Sequence, residues 1–187
     1  MLDRDGVLNE DRPDFVKSPV ELKLIAGAAE AVSLFNRAGH KVVVCTNQSC
    51  VGRGLIDRAM LEHVHAELHA QLNRHAARLD AILVATDTPD NPSARRKPGP
   101  GMLQEALAQF HQRPGDAIYI GDSVTDLQAA KAAGCRRILV RTGKGRATEA
   151  QWAAQGLPAD LRPVLVFDDL RAAADHVLRS AGAGPGA

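Results

Sequence analysis

Two aspartates one residue apart, Asp3 and Asp5 in Leu2-Asp3-Arg4-Asp5-Gly6-Val7, are the residues of this chain most able to do chemistry. An apolar residue leads into the pair and a glycine follows it, which places the carboxylates where a strand breaks into a loop. In an open α/β sheet that end of a strand is where ligands bind. Two acids so close need a partner cation to ionise together. The pattern suits a Mg²⁺-assisted reaction in which one carboxylate attacks and the other moves a proton. Taken alone, Asp-x-Asp is common in surface turns, so its meaning depends on what accompanies it.

Three further stretches accompany it. Val42-Val43-Val44-Cys45-Thr46-Asn47-Gln48-Ser49 and Ile118-Tyr119-Ile120-Gly121-Asp122-Ser123-Val124-Thr125-Asp126 are apolar runs that end in a polar turn. Each reads as a buried parallel strand delivering a hydroxyl or a carboxylate at its tip. Arg95-Arg96-Lys97-Pro98 places cations just before a helix start. A nucleophile pair, a hydroxyl donor, a fixed cation and another acid are together the parts that phosphoryl transfer requires.

In this order the four stretches resemble the motifs of the haloacid-dehalogenase-like hydrolases, over roughly the first three quarters of the chain. Asp3-Arg4-Asp5-Gly6-Val7, Thr46-Asn47-Gln48-Ser49, Gly52-Arg53-Gly54, Arg96-Lys97-Pro98 with Gly101-Met102, and Arg141-Thr142-Gly143 look like one branch. That branch holds the D-glycero-D-manno-heptose 1,7-bisphosphate 7-phosphatases and the histidinol-phosphate phosphatases. Asp14-Phe15-Val16-Lys17-Ser18-Pro19 and the Gln48-to-Gly54 stretch are more similar to the heptose side.

The resemblance implies a role for each residue. Asp3 is the nucleophile and forms an aspartyl-phosphate. Asp5 is the acid/base, first for the leaving oxygen and then for water. Mg²⁺ is held by the Asp3 carboxylate, the Asp5 main-chain carbonyl and Asp122. Thr46 and Lys97 complete the catalytic set, Thr46 on a phosphate oxygen and Lys97 on the transferring group. Arg96 offers a bidentate contact to a second phosphate. Asp11, Arg12, Pro13, Asp14, Asn47, Gln48 and Ser49 follow strand tips and line the sugar pocket, with Ser123 a further substrate contact. Asp126 reads either as support for the metal site or as a surface helix acid. Arg53 reads either as an anion contact or as a loop brace, and Arg95 as solvated.

Two departures bear on substrate choice. Many members of this branch hold a structural Zn²⁺ in the loop after the third strand, on Cys-x-His and Cys-x-Cys pairs. Here residues 85–95 contain neither cysteine nor histidine. Zinc needs such ligands, so no structural zinc is expected, and turns and prolines must hold the loop. Cys50 stands where the family usually has glycine and reads as a small filler. His63, His65 and His69 share a helix and read as a surface grouping.

With 187 residues and a formal net charge of +1, the chain is long enough for one continuous core and lacks the basic excess of a nucleic-acid binder. No apolar run reaches membrane-spanning length and no signal-peptide pattern is present, so a cytoplasmic, soluble protein is expected. Cys45, Cys50 and Cys135 have no paired spacing and read as reduced thiols. A monomer is expected, acting on a small phosphorylated sugar, with no nucleic-acid or membrane partner.

The elements that must position these residues alternate between strand and helix. Strands are expected at Met1-Leu2, Lys41–Cys45, Ala81–Ala85, Ala117–Ile120, Arg137–Val140 and Val164–Phe167. Met1-Leu2 supplies only the end of a strand that normally has about five or six residues, so it reads as clipped at its start. Helices are expected over Gly27–Ala38, from Asp57 to about Arg74, over Gly99–Phe110 and Thr125–Ala133, near Thr148–Gln155, and from Asp168 or Asp169 to Leu178. The result is an α/β fold, a doubly wound parallel sheet with helices on both faces and no separate cap domain. Residues 1–179 form the domain and 180–187 a disordered tail. Besides a 7-phosphatase of heptose bisphosphate, the sequence leaves open a histidinol-phosphate or broad sugar-phosphate phosphatase, and a non-catalytic relic that binds phosphosugars or a partner.

Overall fold

The computed structural model describes residues 1–182 and shows an α/β fold. In chain order its elements are α1 (Ala28–Arg37), β1 (Val43–Asn47), α2 (Ser49–Gly52), α3 (Arg58–Asn73), β2 (Ala81–Ala85) and α4 (Gly101–Gln109). They are followed by β3 (Ile118–Gly121), α5 (Val124–Ala132), β4 (Arg136–Val140), α6 (Gly145–Gln155), β5 (Leu165–Phe167) and α7 (Leu170–Gly182). Among the described residues, no helix is long and apolar enough to cross a membrane.

Every strand pairing is parallel. β1 runs beside β2, and β4 lies between β3 and β5. Leu2 joins the two groups, bridging Val44 on one side and Ile120 on the other. Around it Leu2 N donates to Val43 O at 2.8 Å, Asp3 N to Ile120 O at 3.0 Å, and Cys45 N to Leu2 O at 2.9 Å. The order is therefore β2, β1, the Leu2 segment, β3, β4, β5. The chain leaves this central segment first toward one edge and later toward the other. The switch point lies at the carboxyl ends of the Leu2 segment and β3, where such sheets bind ligands.

Local sequence explains the elements. Asp57 caps α3 by accepting from Met60 N at 2.7 Å, and Leu61, Val64, Leu68 and Leu72 fall on one face and are buried. Gly39, with φ of 80°, ends α1 in the left-handed turn that glycine accommodates. Ser123 and Asp126 form a reciprocal capping box that starts α5. One apolar cluster packs α1, α3 and α7 on one face of the sheet. A second packs α4 and α5 on the other. A third small cluster joins Leu127 of α5 to Leu139 of β4. All three include strand residues, so among the described residues no apolar cluster belongs to a separate cap.

The structure refines several boundaries. β1 starts at Val43 and reaches Asn47, two residues beyond the expected strand. Asp80 takes the first part of the run instead, accepting from Val42 N at 2.8 Å and from Lys41 Nζ at 3.0 Å. α2 was not expected; its single turn forms directly after the β1 tip. α6 begins at Gly145, three residues early. α7 runs through Ser180 to Gly182, where a tail had been expected, and residues 183–187 lie outside the described residues.

Leu68 of α3 is fully buried in the apolar cluster that packs α1, α3 and α7 on the sheet. Leu68→Ala is expected to cost about 2–5 kcal/mol, read as a lowered urea midpoint with unchanged m-value. An unchanged midpoint would contradict this packing.

Candidate active site

Asp3, Thr46 and Asp122 meet at the carboxyl end of the sheet, each at or just past the end of its strand or segment. A fourth residue, Lys97, enters from the loop before α4 and is almost fully buried. Its Nζ lies 2.9 Å from Asp3 Oδ1 and 2.6 Å from Asp126 Oδ1. It also donates to Tyr119 Oη at 2.8 Å, and that hydroxyl donates to Cys45 O at 2.8 Å. The loop is pinned by Asn47, whose amide donates to Lys97 O at 3.0 Å and accepts from Lys97 N at 3.1 Å.

Charge does not balance here. Carboxylate oxygens of Asp3, Asp122 and Asp126 all lie within 4.8 Å of one another. Against these three acids stands one buried ammonium, leaving an excess of two negative charges. Burial opposes the charge on Lys97, but Asp126 and Asp3 outweigh it and hold its pKa above the ordinary lysine range. Asp126, paired with that lysine, stays below the usual carboxylate range despite its burial. The deficit falls on the other two acids. Burial pushes Asp3 up to about 6 against the pull of Lys97. Burial, then Asp126 and Asp3, push Asp122 to about 8.

A divalent cation fits this deficit. The donors are hard carboxylate oxygens, which suit Mg²⁺. Asp126 is not the best of them, because its Oδ2 accepts from Ser123 N, Ser123 Oγ and Asp122 N, and its Oδ1 from Lys97. Asp3 and Asp122 are less committed. Asp3 Oδ1 accepts from Lys97 and from Arg4 N at 2.7 Å, which leaves Oδ2 without a hydrogen-bond partner among the described residues. Asp122 Oδ2 accepts from Lys144 N at 2.8 Å. A side chain at Gly6 or Gly143 would collide with that same oxygen, and both glycines have positive φ. The chain thus closes tightly on one side of Asp122.

Asp5 occupies a different environment. Arg4 Nη2 donates to its Oδ1 at 2.9 Å and its Oδ2 at 3.0 Å. Asn9 Nδ2 reaches Oδ1 at 2.8 Å, and Gln48 Nε2 reaches Oδ2 at 2.7 Å. Burial works against ionising Asp5, yet Arg4 and these amides more than offset it and hold the carboxyl below its usual range. Gln48 also donates to Thr46 Oγ1 at 2.9 Å, joining the acid to the β1 tip.

The remaining expected site residues are arranged more loosely. Asp11 reaches Lys144 at 3.2 Å. Arg12 pairs with Asp14, which also pairs with Lys17, and Pro13 is exposed between them. Ser49 is buried at the start of α2. Ser123 spends its hydroxyl on the α5 cap. Arg96 is half-buried and donates to Asp87 O at 2.8 Å, while Ser93 Oγ donates to Asp87 Oδ2 at 2.6 Å.

Several readings change with the structure in hand. Asp126 is a buried counterion to Lys97 and not a surface acid; its Ser-x-x-Asp spacing after Ser123 was the available signal. Arg95 is not merely solvated, since it pairs with Glu105 and donates to Val84 O at 3.0 Å. The loop from Thr86 to Arg96 is thus held by arginine and aspartate contacts as well as by its turns. His65 is buried while His63 and His69 are not. Cys50 is fully buried, as a filler would be.

Comparison with known proteins agrees with this geometry. A family model described as HAD-hydrolase-like matches residues 94–173. The D-glycero-beta-D-manno-heptose-1,7-bisphosphate 7-phosphatase of Bordetella bronchiseptica is 41% identical over 97% of this chain and 98% of its own length. The enzyme of that name from Pseudomonas aeruginosa is 37% identical over 96% of this chain and 97% of its own. The crystal structure of the B. bronchiseptica D,D-heptose 1,7-bisphosphate phosphatase, complexed with magnesium and phosphate, superposes with a TM-score of 0.89 at 41% identity. That superposition covers 96% of this chain and 97% of that one. The chain belongs to the heptose-1,7-bisphosphate 7-phosphatase family of haloacid-dehalogenase-like hydrolases.

Proposed function

We propose that this protein is a Mg²⁺-dependent phosphomonoesterase that removes the 7-phosphate of D-glycero-D-manno-heptose 1,7-bisphosphate through an aspartyl-phosphate on Asp3. The observation that carries the reading is the buried group of Asp3, Asp122, Asp126 and Lys97, two charges short of balance, at the switch point of the sheet. The substrate follows from the named relatives, which match over nearly the whole chain.

Asp3 Oδ2 attacks phosphorus in line, and the bond from phosphorus to the sugar oxygen breaks as the new acyl-phosphate bond forms. Lys97 fixes Asp3 through Oδ1 and offsets negative charge on the transferring group. Asp5, held as a carboxylate by Arg4, Asn9 and Gln48, takes up a proton as one of these hydrogen bonds is released and gives it to the departing sugar oxygen. As a carboxylate it then takes a proton from water, which attacks the aspartyl-phosphate and restores Asp3. Thr46, at the strand tip, offers its hydroxyl to a phosphate oxygen. Asp3, Asp122 and the Asp5 carbonyl would hold Mg²⁺, which when bound neutralises these acids and polarises the phosphoryl oxygens. Arg96 would meet the second phosphate, and the loop from Asp11 to Asp14 the sugar. With no thiolate or imidazole in residues 85–95, this reading includes no structural zinc there.

Phosphate release with Mg²⁺ from heptose 1,7-bisphosphate, histidinol phosphate and fructose 1,6-bisphosphate, with Asp3→Asn as the blank, tests the reading. Preference for the heptose is expected, with loss of at least about 10³-fold in Asp3→Asn. Equal slow turnover of all three would remove the named substrate, and turnover surviving in the mutant would remove the mechanism.

A pH dependence follows from the two raised acids. Their folded pKa values exceed their unfolded ones, so in metal-free protein their contribution to stability is lost as pH rises from near 4 toward about 6 for Asp3 and about 8 for Asp122. Mg²⁺ binds the ionised forms and should raise the melting temperature more at pH 8 than at pH 5.5. An equal shift at both would show that these acids do not hold the ion.

A further inference from the structure

The geometry points to Arg4, braced from behind by His65 of α3, as the positioning residue for the acid/base Asp5. The inference rests on the phosphatase reading above and deepens it.

Arg4 stands between the two aspartates, where a surface turn would send a long cation into water. Instead its side chain is fully buried. One nitrogen, Nη2, bridges both oxygens of Asp5, at 2.9 and 3.0 Å. The other, Nη1, lies 3.4 Å from His65 Nε2, sixty-one positions away in sequence. The facing donor makes Nε2 the acceptor, so the ring is neutral with its proton on Nδ1. Burial, and then Arg4, lower the His65 pKa to about 4, which keeps it neutral at working pH. His65 can therefore accept from the guanidinium without repelling it.

Stability alone does not account for this arrangement. Arg4 Nε finds no hydrogen-bond acceptor among the described residues, an orphaned donor in a buried cation. Replacing a buried ion pair by apolar side chains is often neutral or stabilising. The guanidinium sits where it fixes the Asp5 carboxylate, at the expense of its own third donor. With Asn9 and Gln48 added, each Asp5 oxygen accepts two hydrogen bonds. A carboxylate has roughly four lone-pair positions, so in the ionised state its rotation is fully determined, and one of the four contacts is released when Asp5 carries the proton. A proton donor misplaced by 1 Å can lose about 10²-fold.

The chemistry supplies a selective test. Departure of a sugar oxygen needs a proton, whereas p-nitrophenolate is a stable anion and leaves without one. The relevant quantity is kcat/KM, which covers phosphoryl transfer up to departure of the leaving group and not the later hydrolysis. Arg4→Met, Arg4→Lys and His65→Phe would be compared with wild type on heptose 1,7-bisphosphate and on p-nitrophenyl phosphate, after melting curves identify the folded variants. His65→Phe does not touch Asp5, so it tests the brace even if the Arg4 variants fail to fold.

The expected result is a loss of about 10-fold to 10²-fold on the heptose for Arg4→Met, with p-nitrophenyl phosphate changed less than about threefold. His65→Phe should fall in the same direction, and Arg4→Lys should recover part of the loss. Equal losses on both substrates, or none on either, would overturn the positioning role while leaving the phosphatase reading intact. No turnover of either substrate by wild type would overturn that reading and this inference together.

Discussion

A single buried ammonium, Lys97, set among three carboxylates, is the constraint on which the rest of this structure depends. Charges removed from water are tolerated only when paired. Lys97 satisfies Asp126 and shares itself with Asp3, but Asp122 is left over. A fold that retained this imbalance without purpose would gain by replacing one acid with an apolar residue. The imbalance is what a divalent cation corrects, and it leaves one oxygen of Asp3 uncommitted beside it.

The sheet makes that concentration of charge possible. Asp3, Thr46 and Asp122 come from three separate parallel strands or segments at their carboxyl ends, with Asp126 in the first turn of the helix after Asp122, so backbones as much as side chains hold the site. Asp122 is held by the main chain of Lys144, and Gly6 and Gly143 approach it more closely than any side chain would permit. Thr142 Oγ1 donates to Gly6 O at 2.6 Å, tying the loop after β4 to the loop after Leu2. Asp5 is kept apart from the cluster by Arg4, Asn9 and Gln48. Two carboxylates two positions apart thus take opposite environments, one facing a shared lysine and one held by its own arginine. That separation lets one serve as nucleophile and the other as proton carrier.

Much of this was legible in the sequence because the informative residues sit where an apolar run stops. Asp3, Thr46 and Asp122 each end such a run, and the parallel order of strands follows from their alternation with helices. Lys97 was legible only through its place before Pro98 in the family pattern. Asp126 was legible only as one of two alternatives, and Arg4 and His65 were not legible. A charged residue on a helix or in a turn is ordinarily solvated, and only the tertiary partner reveals otherwise: Lys97 for Asp126, Asp5 for Arg4, Arg4 for His65. The β1 boundary was displaced for a similar reason, since Asp80 captures the backbone of Val42 and no local signal announces a residue so far along the chain. The loop from Thr86 to Arg96 is braced in part by Glu105 of α4, again a partner outside the local sequence.

The mechanism depends most directly on Asp3 becoming covalently phosphorylated. Acid-quenching the enzyme during turnover with Mg²⁺ and heptose 1,7-bisphosphate, followed by peptide mass spectrometry, would locate the phosphoryl group. The expected result is one phosphoryl group on Asp3, absent from Asp3→Asn and from enzyme treated with chelator. Phosphate carried by another residue, or steady turnover with rapid-quench samples showing none on Asp3, would contradict it.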